Sequence, residues 1–188
     1  MSDFDASTTA IADITGDYTI DPVHSRLGFV ARHAMVTKVR GQFKEFSGTA
    51  HVDPTTPANS KVDVTIAASS VDTGSSDRDG HLLSSDFFGA AETPEMTFSS
   101  TDVSRDGTDW TIAGNLSIKG TTKLVTIDFE EVGTARDPFG NVRLGFEGST
   151  TINRGDWGLS FNALLETGGV LVSEKIKLEF DISAIQNA

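Results

Sequence analysis

Four histidines, His24, His33, His51 and His81, are the side chains of this sequence whose imidazole could serve as general base or metal ligand. None pairs at the two-His helical spacing of a zinc protease, and the chain has no cysteine, so thiolate ligands, thiolate nucleophiles and disulfides are excluded. Asp77, Asp79 and His81 stand at alternate positions, which a helix turns to different sides. His24 and Ser25 are neighbours whose side chains diverge on a strand, and no Gly-x-Ser-x-Gly elbow, phosphate loop or dinucleotide fingerprint occurs. Metal catalysis and hydrolysis by a nucleophile therefore find little support, and no cofactor is implied.

The strongest local signal is electrostatic. Residues 22–44 carry Arg26, Arg32, Lys38, Arg40 and Lys44 with no Asp or Glu, all at even positions. On extended backbone these share one face with His24, while Leu27, Phe29, Ala31, Met35 and Phe43 share the other. The cationic face reads either as a solvated strand surface or as a strip facing an anionic head group or membrane surface. A bulge near the bend expected at residues 36–41 would shift the parity of Arg40 and Lys44. By the same parity His33 falls on the apolar face, either as a hydrogen-bonded core histidine or as a polar anchor in an apolar lumen.

The elements that position these residues are strands. Val62, Val64 and Ile66 oppose Lys61, Asp63 and Thr65, and Trp110, Ile112, Leu116 and Ile118 oppose Thr111, Asn115, Ser117 and Lys119. The same period of two runs through Val125, Ile127 and Phe129, through Val142, Leu144, Phe146 and Ile152, and through Ile176, Leu178, Phe180 and Ile182. Asp53-Pro54, Asp106-Gly107, Lys119-Gly120 and residues 137–141 punctuate these runs as turns. Runs near 26–36, 41–52, 61–70, 95–102, 109–118, 122–132, 142–152 and 174–184 predict eight strands, the number that closes a small barrel with a filled lumen or room for one small ligand. Between the strands, Ser75 or Ser76 caps a short helix through Arg78, His81 and Leu82, placed to plug one end of the barrel.

Length and charge narrow the function. The 188 residues suit one domain; residues 1–16, acidic and aperiodic, read as a loosely ordered tail, and 17–188 as the domain. With 15 Lys and Arg against 27 Asp and Glu, the net charge of −12 opposes nucleic acid as a partner. Twelve of the 15 aromatic residues are Phe, an interior rich in hydrocarbon that serves a packed core or an apolar cavity equally. Residues 1–20 contain no Lys or Arg and no long apolar run, so they do not read as a signal peptide, and a cytoplasmic location is expected.

A combination of motifs gives a resemblance. His24-Ser25 with Phe29, His33, Gly41 and Phe43, then residues 70–74 (Ser-Val-Asp-Thr-Gly), 78–82 (Arg-Asp-Gly-His-Leu), Asp86-Phe87-Phe88, Pro94 and Phe98, resemble the YceI-like family of polyisoprenoid-binding proteins. Residues 114–123, Gly145-Phe146, Ile152 to Arg154 and Trp157-Gly158-Leu159 continue the likeness, which spans about Tyr18 to Ile185. It implies a lipocalin-like, all-β antiparallel barrel whose apolar lumen holds a polyprenyl lipid or isoprenoid quinone, without catalysis. Many members of that family begin with a secretion signal, which this N-terminus does not match.

The lumen residues expected from both lines are Phe29, Phe43, Val64, Ile66, Phe98, Leu116, Ile127, Phe146 and Phe180, with His33 or the mouth cations at the polar end of the ligand and Arg78 and Arg154 as further contacts. Both arginines have a structural alternative, Arg78 paired with Asp79 or Asp86 and Arg154 with Asp156. The competing functions are an enzyme acting on a small amphiphile with His33 or His81 as general base, and an interaction module with a solid core. Transient membrane contact and a homodimer are the expected further associations.

Overall fold

The computed structural model describes residues 13–188. Its strands are β1 (Gly16–Ile20), β2 (Arg26–His33), β3 (Thr37–Phe43), β4 (Phe46–Val52), β5 (Lys61–Ala67), β6 (Val71–Asp72), β7 (Glu95–Asp106), β8 (Asp109–Ile118), β9 (Thr121–Arg136), β10 (Val142–Asn153) and β11 (Lys175–Gln186). A single helix, α1 (Ser76–Leu83), separates β6 from β7. The order β1-β4-β5-β7-β8-β9-β10-β11, with β11 returning to β1, makes a closed antiparallel barrel of eight strands. Closure leaves no free edge around that ring.

β11 serves two partners on one side. Its end pairs with β1 (Tyr18 opposite Gln186) and its beginning with β2 (Lys177 opposite Val30). β3 and β4 follow the same division, β3 against β2 and β4 against β1. Two expectations change here. Thr37 to Arg40, read as a bend, are strand residues, because their hydrogen bonds go to β2 across a tight turn. The expected strand over residues 41–52 divides at a corner, where Lys44 N–H donates to Ser70 O and Ala67 N–H to Glu45 O.

Most of the expected tail, residues 1–16, has no described structure. Residues 1–12 lie outside the described residues, but Ile14 is buried and accepts from the hydroxyl of the fully buried Tyr18 at 2.8 Å. The strand from Gly16 was not anticipated, since only Tyr18 and Ile20 mark its apolar side.

The apolar interior packs as two clusters. One gathers Ala68, Phe87, Met96, Leu116, Ile118, Val125, Ile127, Trp157 and Leu159 at the end covered by α1, whose Leu82 rests against it. The other gathers Ile14, Tyr18, Val52, Val103, Trp110, Leu144 and Ala184 at the opposite end. Ser75 caps α1 by accepting from Arg78 N–H, with Asp77 and Asp79 in the first turn favouring the helix dipole. Trp157 donates from its indole to Leu116 O at 2.9 Å, so the large ring is buried without stranding its N–H.

Arg143 ties the β9–β10 turn to the corner after β1. It donates to Asp137 at 2.9 Å and to Asp21 at 2.8 Å, with Ser183 Oγ also in reach. The hydrogen bond from Arg143, aided by His24 and the Val23 N–H, lowers the Asp21 pKa from 3.8 to about 2. At Asp137, burial pushes upward but is overcome by bonds from Arg143, Asn141 and the Phe139 N–H, and the result is again about 2. Lowered carboxyl pKa values contribute stability that is complete above the unfolded value and disappears as pH falls through the folded one. Equilibrium denaturation is therefore expected to show a loss of stability between about pH 4 and pH 2. Arg143→Met should be less stable at pH 7 and flatter across that window; parallel wild-type and variant profiles would contradict this.

Candidate functional site

Alternation along the strands turns one side chain of every two into the barrel. On β5 these are Val62, Val64 and Ile66, on β7 Met96 and Phe98, and on β8 Ile112, Leu116 and Ile118. Val125, Ile127 and Phe129 come from β9, Phe146 and Ile152 from β10, and Leu178, Phe180 and Ile182 from β11. Together with Leu27, Phe43 and residues of β1 and β4 they line a cavity of about 180 Å³. Among its described lining residues the polar side chains are His51 and Ser60, apart from the indole N–H of Trp110. The wall is otherwise hydrocarbon, which suits an apolar guest and excludes water.

Three aromatic rings of the inward faces lie against glycines of a neighbouring strand. A methyl group at Gly41, Gly114 or Gly148 would overlap the ring of Phe29, Phe98 or Phe129, respectively. Gly41 stands opposite Phe29, and Gly148 opposite Phe129. Each ring thus lies over a bare stretch of neighbouring strand instead of projecting toward the barrel axis. Phe129 in turn sits 5.8 Å from Phe180 and 6.4 Å from Phe146, and Phe146 meets Trp110 edge-on at 6.0 Å, forming an aromatic belt on β8 to β11.

The end opposite α1 carries a polar set. Glu131 follows Phe129 on the inward face of β9 by simple alternation, and a bulge at Val132, between the pairs Gly145–Gly133 and Phe146–Glu131, then leaves Val132 exposed. Glu131 accepts from the indole of Trp110 at 2.9 Å and from Arg105 at 3.3 Å, and the Arg105 guanidinium covers the Trp110 ring at 5.1 Å.

Eight of the expected lumen residues, Phe43, Val64, Ile66, Phe98, Leu116, Ile127, Phe146 and Phe180, line the cavity. Phe29 is on the inward side of β2 but beyond the lining, its ring 5.7 Å from Phe43. His33 is a correction. It is exposed, because β2 overhangs the rim: its last pair with β11 is Val30–Lys177, and beyond it His33 meets only the bridge to Val172 and the turn to β3. The odd-numbered face of β2 is apolar-lined only while β11 lies beside it.

The two arginines also differ from their expected pairings. Arg78 donates to Thr73 Oγ1 at 2.7 Å and Thr73 O at 2.8 Å, fastening the loop before α1, while Asp79 accepts from Thr73 and Asp86 contacts His81. Arg154 is 6% exposed and has no bond to Asp156. Its Nε donates to Ser173 O at 2.8 Å, Nη2 to Val172 O at 3.3 Å, and Nη1 to Leu159 O, beneath the Phe87 ring at 5.8 Å. Burial draws its pKa below the ordinary arginine value, with Glu174 acting against that. Arg154 therefore fastens residues 159–173 over the α1 end. His81 lies edge-on to Phe87 (5.1 Å) and Phe161 (4.8 Å) and bonds Asp86 at 2.9 Å; neither it nor His33 lines the cavity.

Ile20, Trp110, Phe129 and Leu178 are among the lining residues that were not expected at the site. Three of the four continue apolar alternations already visible in the sequence. Ile20 belongs to the unanticipated first strand. Among the described residues there is no group of His, Asp and Glu fit to hold a metal ion, and no helix long and apolar enough to cross a membrane.

Comparison with known proteins places this geometry. The YceI-like domain profile matches residues 18–184. A UPF0312 protein of Staphylococcus epidermidis is 39% identical over 163 residues, covering 86% of this chain and 93% of that one. The crystal structure of BcnA from Burkholderia cenocepacia superposes with a TM-score of 0.77 at 24% identity, over 87% of this chain and 98% of the other. A polyisoprenoid binding domain from Saccharophagus degradans, implicated in plant cell wall breakdown, has a TM-score of 0.66 at 17% identity, over 90% and 98% of the two chains. A closed eight-stranded barrel around an apolar lumen, together with a profile match over nearly the whole described chain, makes this protein a member of the YceI-like family.

Proposed function

We propose that the protein is a non-catalytic binder that carries or stores a polyisoprenoid lipid, such as a polyprenyl lipid or an isoprenoid quinone, with the prenyl chain in the barrel. The observation that carries this reading is the cavity wall, which is hydrocarbon on every strand of the ring. The polyisoprenoid-binding description of the Saccharophagus degradans domain supports the same ligand class. Each buried methylene contributes roughly 0.8 kcal/mol, so each isoprene unit adds a few kcal/mol before ordering costs.

The cavity sets a condition on that ligand. At about 180 Å³ it is close to an engineered apolar cavity of roughly 150 Å³ that admits benzene. A long prenyl chain must therefore displace side chains as it threads between the two clusters. Affinity then rises with chain length until the cost of moving the wall exceeds the gain from burial.

Organic extraction of the purified full chain followed by mass spectrometry is expected to recover a prenylated lipid, chemically unchanged. A protein that yields none and also takes up no added polyprenol or quinone would overturn the proposal. Ile127→Trp or Phe146→Trp should reduce uptake of long prenyl chains at least about tenfold, measured against a short-chain analogue that is affected less. Gly148→Ala drives the Phe129 ring off its strand and into the lumen, and is expected to lower lipid loading more than thermal stability. Unchanged loading in all three variants would place the ligand elsewhere.

A further inference from the structure

The turn joining β2 to β3 has an unusual make-up. Val36 N–H donates to His33 O at 3.0 Å, and both central residues, Ala34 (φ 51°) and Met35 (φ 63°), are left-handed. This geometry normally selects Asn-Gly, and non-glycine residues held there are strained. Here it presents hydrocarbon to solvent: Met35 is 61% and Val36 76% exposed. The neighbouring hairpin adds Leu164, 88% exposed, and is held against this turn by Ala34 N–H donating to Leu171 O and by Met35 lying over Gly169.

Behind this apolar tip stands the cationic face. Arg32 lies opposite Lys38, and Val30 lies between Arg40 of β3 and Lys177 of β11. Directly opposed residues share a face, as do alternate ones, so Arg32, Lys38, Arg40 and Lys177 all project outward, away from the side that carries Leu27 and Phe43. Among the described residues Arg32, Lys38 and Arg40 enter no ion pair, whereas Arg26 and Lys177 reach Glu179 and Lys44 reaches Asp72. Glu166 and Glu174 are the exposed acids of the adjoining segment. In a chain of net charge −12, three cations outside any ion pair thus stand next to an exposed apolar tip.

We infer that this end of the barrel docks on an anionic lipid bilayer, with Met35, Val36 and Leu164 entering the interface and Arg32, Lys38 and Arg40 meeting lipid phosphates. Apolar insertion and electrostatic attraction are complementary for such a surface, and the negative remainder of the protein orients this end toward it. The inference rests on the lumen reading only for what is exchanged there: α1 and residues 159–173, which cover the lumen, lie at this same end.

Co-sedimentation of the full chain with vesicles of phosphatidylcholine containing phosphatidylglycerol tests it. Wild type should bind these vesicles more tightly than pure phosphatidylcholine, and added salt should weaken the difference. The paired change Lys38→Glu/Arg40→Glu should weaken binding to the anionic vesicles at least about tenfold. Met35→Ser/Val36→Ser should weaken it several-fold at every salt concentration. No wild-type binding, or equal binding by wild type and the charge variant, overturns the inference. So does a solution dimer abolished by Met35→Ser/Val36→Ser, which assigns the tip to a second copy of the chain. Lipid extraction from the same variants separates the two readings: an empty lumen with intact vesicle binding sinks the cargo and keeps the docking, and a loaded lumen without vesicle binding does the reverse.

Discussion

A barrel whose inward residues are mostly phenylalanine, leucine and isoleucine would be expected to fill itself, since interiors pack to crystal-like density. The contact that prevents this is a ring resting on a glycine. Phe29 over Gly41, Phe98 beside Gly114 and Phe129 over Gly148 take their packing from a neighbouring backbone, so that their bulk is absorbed by the wall. The glycines lose the side-chain packing that a strand residue normally supplies, and the rings restore it, as in the aromatic rescue used to stabilise sheets. The apolar lining comes from the alternation of every strand, and these contacts hold two of its rings, Phe98 and Phe129, against the wall.

The two ends solve different problems. Opposite α1, the inward face of β9 brings Glu131 to Trp110 and Arg105, so a carboxylate meets an indole N–H and a guanidinium next to hydrocarbon, while Arg105 Nε is buried without a partner among the described residues. At the α1 end, aromatic contacts among His81, Phe87 and Phe161 bring the helical segment and the long β10–β11 connection together, and Phe88 continues the contact to Phe43. One end is lined by polar side chains of the strands themselves, and the other is covered by chain laid over it.

Much of this was legible in the sequence because period-two alternation reports directly on a wall with one wet and one dry side. Alternation through Val64, Leu116, Ile127, Phe146 and Phe180 marks these residues as inward, and all five line the cavity. The readings that changed are those depending on neighbours that local pattern does not encode. His33 keeps the parity of Phe29, yet lies beyond the end of β11 and meets water. Arg154 finds backbone carbonyls from residues 159, 172 and 173, where charge counting suggested the nearby Asp156. The part played by Gly41, Gly114 and Gly148 shows only once the partner strand is set beside them.

The way Arg154 holds the β10–β11 connection bears on how that connection can diversify. The guanidinium recognises main-chain oxygens, which every amino acid supplies, and Asn162 does the same through Val172. Beyond Leu159, Phe161, Asn162 and Val172, whose side chains pack or bond, the side chains along the connection are thereby released from the task of anchoring it. Substitutions there can remodel the rim of the barrel, and with it the choice of guest, while leaving the tether intact.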